Sequence, residues 1–80
     1  MRPMRLIIQR KNKSEATYGR EAIATIISGW KEIQAELQEQ SGYDVSQETA
    51  ERIWRTLTIS CNVDEITIGN SKFLLILIHE

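Results

Sequence analysis

Cysteine and histidine are almost missing from this chain of 80 residues, which has one of each, Cys61 and His79. A lone cysteine forms no internal disulfide, and this points to a reducing compartment such as a cytoplasm. One Cys and one His also spell out neither a zinc quartet nor a Cys–His pair with a third orienting group. Glycine is sparse: the four residues stand alone at 19, 29, 42 and 69, so no Gly-rich phosphate loop is present. Long apolar runs are missing too. The longest is Phe73 to Ile78, far short of the about 20 residues that span a bilayer. Behind the N-terminal basic residues only Leu6, Ile7 and Ile8 follow, where a secretory core needs about 7–15 apolar residues. Position 2 is Arg and the chain closes on Leu-Ile-His-Glu, so lipidation signals are lacking. These absences lead us to expect a cytoplasmic binding protein without cofactor, metal or small-molecule substrate, and not an enzyme.

The composition is that of an ordinary soluble globular chain, 41% hydrophobic and 26% charged. Its length allows one small domain, residues 1–80. The formal net charge of −1 conceals an asymmetry: residues 1–20 carry six basic residues against Glu15, and residues 21–80 carry four against ten acids. A basic N-terminal segment on an acidic body seeks nucleic acid, an acidic protein or its own body.

Hydrophobic spacing sets out the expected elements. Residues 4–10 read as a first strand, and the polar stretch Lys11–Gly19 reads as a loop. From Arg20 to Gln40, Ile23, Ile26, Ile27, Trp30, Ile33 and Leu37 recur at helical spacing, with Glu32, Glu36 and Glu39 on the other side. This predicts one long helix, or two that meet near Gly29. Ser41-Gly42 ends it, and Ser46 caps a next helix that runs to about Leu57. Ile59, Cys61 and Val63, then Ile66 and Ile68, alternate as a strand, with Cys61 expected in the core. Gly69-Asn70-Ser71 supplies hairpin chemistry, and residues 72–79 return as a last strand.

That last strand is apolar on both faces: Phe73, Leu75 and Leu77 on one, Leu74, Ile76 and Ile78 on the other. Such a strand belongs inside its sheet. The expected fold is therefore α+β: a three-stranded antiparallel-type sheet of order 1-3-2, its last strand central, packed on one face by two or three helices in the order β-α-(α)-α-β-β.

Candidate chemistry is thin. The carboxylate pairs Glu32/Glu36 and Glu48/Glu51 have the spacing of one helix face, but no His accompanies them, and they read as solvated surface. Trp30 and Trp54 fall on apolar stripes and read as core. Tyr18 and Tyr43 lie in loops, where contact with a partner is open to them.

Residues 29–57 run Gly-Trp-Lys-Glu-Ile-Gln-Ala-Glu-Leu, then Ser-Gly-Tyr-Asp-Val-Ser, then Gln-Glu-Thr-Ala-Glu-Arg-Ile-Trp-Arg-Thr-Leu. This resembles the helix-turn-helix pattern of bacterial transcriptional regulators and transposases. With the hairpin that follows, residues 29–80 are similar to a winged-helix domain. The resemblance implies a DNA-binding regulator whose second helix presents Gln47, Glu48, Glu51, Arg52 and Arg55 to a groove. Of these, Gln47, Arg52 and Arg55, with Arg2, Arg5, Arg10, Lys11 and Lys13 of the basic segment, are the candidate nucleic-acid contacts. The alternative is a compact protein-interaction module or inhibitor of the phage or mobile-element type. It would work through Glu32, Glu36, Glu39 and Tyr43, or through an exposed sheet.

Area gives one more expectation. Two or three helices on so short a chain cover one face of the sheet, and Ile7, of opposite parity to Leu6 and Ile8, adds to the apolar area of the sheet. The face of Leu74, Ile76 and Ile78 is thus the candidate dimer face, to be covered by a second copy or a partner protein.

Overall fold

A computed structural model of the chain describes residues 4–19 and 21–79. The elements are β1 (Met4–Asn12), β2 (Ala22–Ile27), α1 (Trp30–Ser41), α2 (Gln47–Arg55), β3 (Val63–Ile68) and β4 (Ser71–His79). The strands form one antiparallel sheet in the order β2-β1-β4-β3. The class is α+β, but the expected three-stranded sheet of order 1-3-2 is overturned: the described residues form four strands and two helices.

The difference lies at residues 22–27, which were expected inside a helix starting at Arg20, a residue outside the described ones. They form β2 instead, paired along β1 from Ile27 opposite Met4 to Ala22 opposite Gln9. Ile23, Thr25, Ile26 and Ile27 are β-branched. Such side chains lose rotamer freedom in a helix and pack well on a pleated surface. The spacing of Ile23, Ile26 and Ile27 satisfies a helical stripe. In a strand the same segment sets Ile23, Thr25 and Ile27 on one side and Ala22, Ala24 and Ile26 on the other.

The helix begins only after Ser28-Gly29. The Glu32 carboxylate accepts hydrogen bonds from the Gly29 N–H at 3.0 Å and from the Ser28 N–H and hydroxyl, both at 2.7 Å. It thereby satisfies donors that a helix start leaves unpaired. These bonds, the Ser28 hydroxyl first, hold the Glu32 carboxyl below its ordinary value of 4.5.

The α1–α2 turn is tied from α1. Gly42 takes the left-handed conformation, φ 76°, and donates its N–H to Gln38 O. Gln34 Nε2 donates to Val45 O at 2.7 Å, and Val45 N donates to Gln38 Oε1 at 3.0 Å. The Ser46 hydroxyl caps α2 by accepting from Thr49 N.

Beyond α2 the chain makes a wider, π-type turn, Thr56–Ser60. The Thr56 and Thr58 hydroxyls donate back to Arg52 O and Trp54 O, and Cys61 N–H donates to Thr56 O. The expected strand is therefore shortened at its start. Ile59 and Cys61 are exposed, and Cys61 is not a core residue.

Ile68 pairs with Ser71, which leaves Gly69-Asn70 as a two-residue hairpin turn. Gly69 has φ 60° while Asn70 does not enter positive φ, the pattern of a type II′ turn. A Cβ on Gly69 would also lie 2.3 Å from Tyr43 Cε2, so this turn admits the Tyr43 ring only because the residue is glycine.

The core lies between one sheet face and the helices. Leu6 and Ile8 of β1, Ile27 of β2, and Phe73, Leu75 and Leu77 of β4 meet Ile33, Leu37, Val45, Ile53 and Leu57, with Trp54, Ile66 and Ile68 packed against them. No helix among the described residues is long and apolar enough to cross a membrane.

Candidate partner-binding face

Among the described residues no helix lies on the other sheet face. Strand register arranges its side chains in four rows. Ile26, Arg5 and Ile78 form the first; Ala24, Ile7, Ile76 and Val63 the second; Ala22, Gln9, Leu74 and Glu65 the third; Lys11, Lys72 and Thr67 the fourth. With strands about 4.8 Å apart and alternate residues about 6.7 Å apart, the platform measures roughly 14 by 20 Å. Its first two rows are apolar apart from Arg5. Ile26 is 66% exposed, Val63 43% and Ile78 41%, while Ile7, Leu74 and Ile76 are half-buried.

The fourth row is partly covered by the β1–β2 loop. The Lys13 N–H donates to Asn70 O and Gly19 N–H to Arg10 O, which fixes both ends of the loop. Tyr18 then lies over the platform: its hydroxyl donates to Glu65 Oε2 at 2.6 Å, and Lys11 Nζ stands 5.4 Å from its ring. Lys72 Nζ reaches Glu65 Oε1 at 3.3 Å. Burial, followed by the bond to the Glu65 carboxylate, pushes the Tyr18 phenol up to about 12. The Tyr18 hydroxyl, then Lys72, holds Glu65 below the ordinary carboxylate range. The platform therefore has an apolar end and a polar, hydrogen-bonded end. It carries Arg5, Lys11 and Lys72 against the single carboxylate of Glu65.

The helical side is the electrostatic opposite. Between residues 30 and 55 it carries Lys31, Arg52 and Arg55 against Glu32, Glu36, Glu39, Asp44, Glu48 and Glu51. Residues of the basic segment do not gather. Arg5 and Lys11 stand on the open face, whereas Arg10 lies on the helical side and donates from Nη1 to Gln40 O at 2.7 Å. Lys13 sits in the loop, and Arg2 lies outside the described residues. Gln47, Arg52 and Arg55 are exposed on α2, across the sheet from Arg5 and Lys11. Of the acidic candidates, Glu32 is engaged in the helix start, Glu36 accepts from Gln40 Nε2 at 3.2 Å, and Glu39 is exposed. Tyr43 is 53% exposed but packs over the Gly69 turn.

Leu74, Ile76 and Ile78 do stand together on the uncovered face. Ala24 and Ile26, which complete it, lie in the segment 22–27 expected as helix, and Val63 joins it through the pairing of β3 with β4. The dense β-branching of residues 22–27 was the available signal. Among the described residues no group of three His, Cys, Asp or Glu side chains is placed to hold a metal ion. On the helical side a cleft of about 400 Å³ opens beside β2, floored by Ile8, Ile23 and Phe73, with Arg10, Glu21 and Gln40 around it.

Comparison with known proteins found no match for this chain among protein-family models, curated proteins or solved structures.

Proposed function

We propose that this chain is a non-enzymatic binding protein whose working surface is the open face of the sheet and whose partner is another protein. The observation that carries the reading is the pair of apolar rows, Ile26/Arg5/Ile78 and Ala24/Ile7/Ile76/Val63, at the end of the platform away from the β1–β2 loop, with no helix over them among the described residues. Monomers seldom leave such patches in water without a use. The cations at its margins, Arg5, Lys11 and Lys72, complement a partner surface that is apolar at its centre and rimmed by carboxylates. The exposed, unpaired Cys61 suits a reducing compartment such as a cytoplasm.

DNA binding is the second reading. It is favoured by the exposure of Gln47, Arg52 and Arg55 on a helix capped by Ser46. Two features weigh for the protein reading instead. The strand residues of the open face include no aromatic ring on which a base would stack, and the Tyr18 ring above its polar end is engaged by Lys11 and Glu65. Arg5 and Lys11 of the basic segment stand across the sheet from Arg52 and Arg55 of α2, so a duplex on one surface engages only part of the set.

Two titrations test this. The anionic apolar dye 8-anilinonaphthalene-1-sulfonate is expected to bind the folded chain, and Ile76→Lys is expected to remove most of that binding without unfolding it. Random-sequence duplex DNA is expected to show no saturable binding. Duplex binding that falls with salt at a log–log slope of about −0.9 per phosphate contact, and that Arg52→Glu abolishes while Ile76→Lys does not, would overturn the reading in favour of DNA.

A further inference from the structure

The two edges of the sheet are built differently. β3 carries Asp64 and Glu65 side by side, and two copies meeting there would bring four carboxylates together. Charges on an edge strand are a common defence against pairing with another chain. β2 reads Ala-Ile-Ala-Thr-Ile-Ile, with no charge, no proline and no glycine. It pairs with β1 on one side, and among the described residues no strand pairs with its other side. Ile23 and Ile26, on opposite faces of it, are 36% and 66% exposed. A neutral, β-branched edge of this kind is a template for strand addition.

We infer that two copies of the chain join through β2, antiparallel, about a two-fold axis perpendicular to the sheet. Such an axis keeps the helices of both copies on one side, so residues that meet must share a face. The register centred on Thr25 obeys this. It sets Thr25 opposite the second copy's Thr25, Ile23 opposite its Ile27, and Ala24 opposite its Ile26. Every pair is uncharged, and the two exposed isoleucines of β2 each gain an apolar neighbour. Ile23 borders the open cleft on the helical side and is partly exposed there, which leaves that margin accessible to a second strand.

A second copy is the occupant because pairing then closes. The product is an eight-stranded sheet whose two remaining edges are both β3, each bearing Asp64 and Glu65. Strand addition stops at two copies instead of growing into a fibre. The two open faces become continuous, with Ile26 and Ala24 of each copy at the junction, so the pairing widens the platform without using it. The dimer stands on the edge and does not require the protein-binding reading of the face.

Sedimentation velocity over micromolar to millimolar concentration tests the inference, with hydrogen exchange on the unaltered chain at both ends of that range. A reversible dimer is expected, with amide exchange in residues 22–27 slowed about tenfold or more at high concentration as the outer edge becomes paired. Ile23→Lys, which sets a charge opposite the second copy's Ile27, is expected to give a folded monomer, whereas Ile76→Lys is expected to stay dimeric. A mass and an exchange pattern independent of concentration would overturn the inference. So would a dimer that Ile76→Lys dissociates and Ile23→Lys does not, since that places the second copy on the open face. Dye binding reports the face separately. Loss of it in Ile76→Lys with the dimer retained upholds both readings, and loss of the dimer alone in Ile23→Lys keeps them distinct.

Discussion

The two faces of β4 have nearly the same chemistry and opposite fates. Phe73, Leu75 and Leu77 are 0–2% exposed beneath the helices, while Leu74, Ile76 and Ile78, one residue along, stand on a face that no helix covers among the described residues. The contrast teaches that apolar patterning marks where burial is wanted, and that the supply of covering elements decides where it happens inside one chain. Here α1 and α2 are the only helices among the described residues, and they spend their apolar stripes on one side. The opposite face keeps apolar area that these helices do not reach.

The sharpest way to break the comparison is to place the same charge on each face. Leu75→Lys buries an ammonium among Leu6, Ile33 and Phe73 and is expected to unfold the chain, a loss of about 4 kcal/mol or more. Ile76→Lys is expected to keep a cooperative thermal transition and to cost about 1 kcal/mol or less. Circular dichroism melts check both. Similar losses at the two positions would mean that both faces are covered.

A smaller effect sharpens the account of how the helical side is held. Gly69→Ala forces a side chain into positive φ and against the Tyr43 ring. A loss of about 1–3 kcal/mol is expected in a denaturant titration, and Tyr43→Ala in the same chain should recover the part due to the clash.

The α1 start gives a pH dependence. Because Glu32 is held below its ordinary value of 4.5 in the folded chain, its contribution is fully present above that pH and is lost as pH falls through the folded value. Glu32→Gln is expected to cost about 1 kcal/mol at neutral pH and to flatten the acid limb of the stability profile. An unchanged limb would remove Glu32 from the helix start.

The smallest effect belongs to the polar end of the platform. Tyr18→Phe is expected to change stability by about 0.5 kcal/mol or less and to return Glu65 towards ordinary carboxylate titration, read by carboxyl carbon NMR shifts. In the unaltered chain the Tyr18 phenol should ionise near 12. Ionisation close to 10 would detach it from Glu65.

Much of the helical side was legible in the sequence. Ile33 and Leu37 stand buried where their spacing put them, and Ser46 caps α2. β2 was not legible from periodicity, because Ile23, Ile26 and Ile27 fit a helical stripe while a strand splits them between two faces; the β-branching of the segment and the free edge of β1 favour the strand. Glu32 looked like solvated surface because its three donors, on Ser28 and Gly29, exist only where the helix breaks; the Ser-Gly followed by Glu was the trace of that break. On the site, β4 declared Leu74, Ile76 and Ile78 as a second apolar face. Ala24, Ile26 and Val63 join them through pairing registers that no local pattern encodes.

The central claim, that the face of Ile7, Ile26, Ile76 and Ile78 is open while that of Leu6, Ile33, Leu75 and Leu77 is closed, is tested most directly by methyl NMR with a soluble nitroxide. The account predicts strong broadening of the Ile7, Ile26, Ile76 and Ile78 methyls and sharp resonances for Ile33, Ile53, Leu75 and Leu77. Ile76 methyls as protected as those of Leu75 would contradict it.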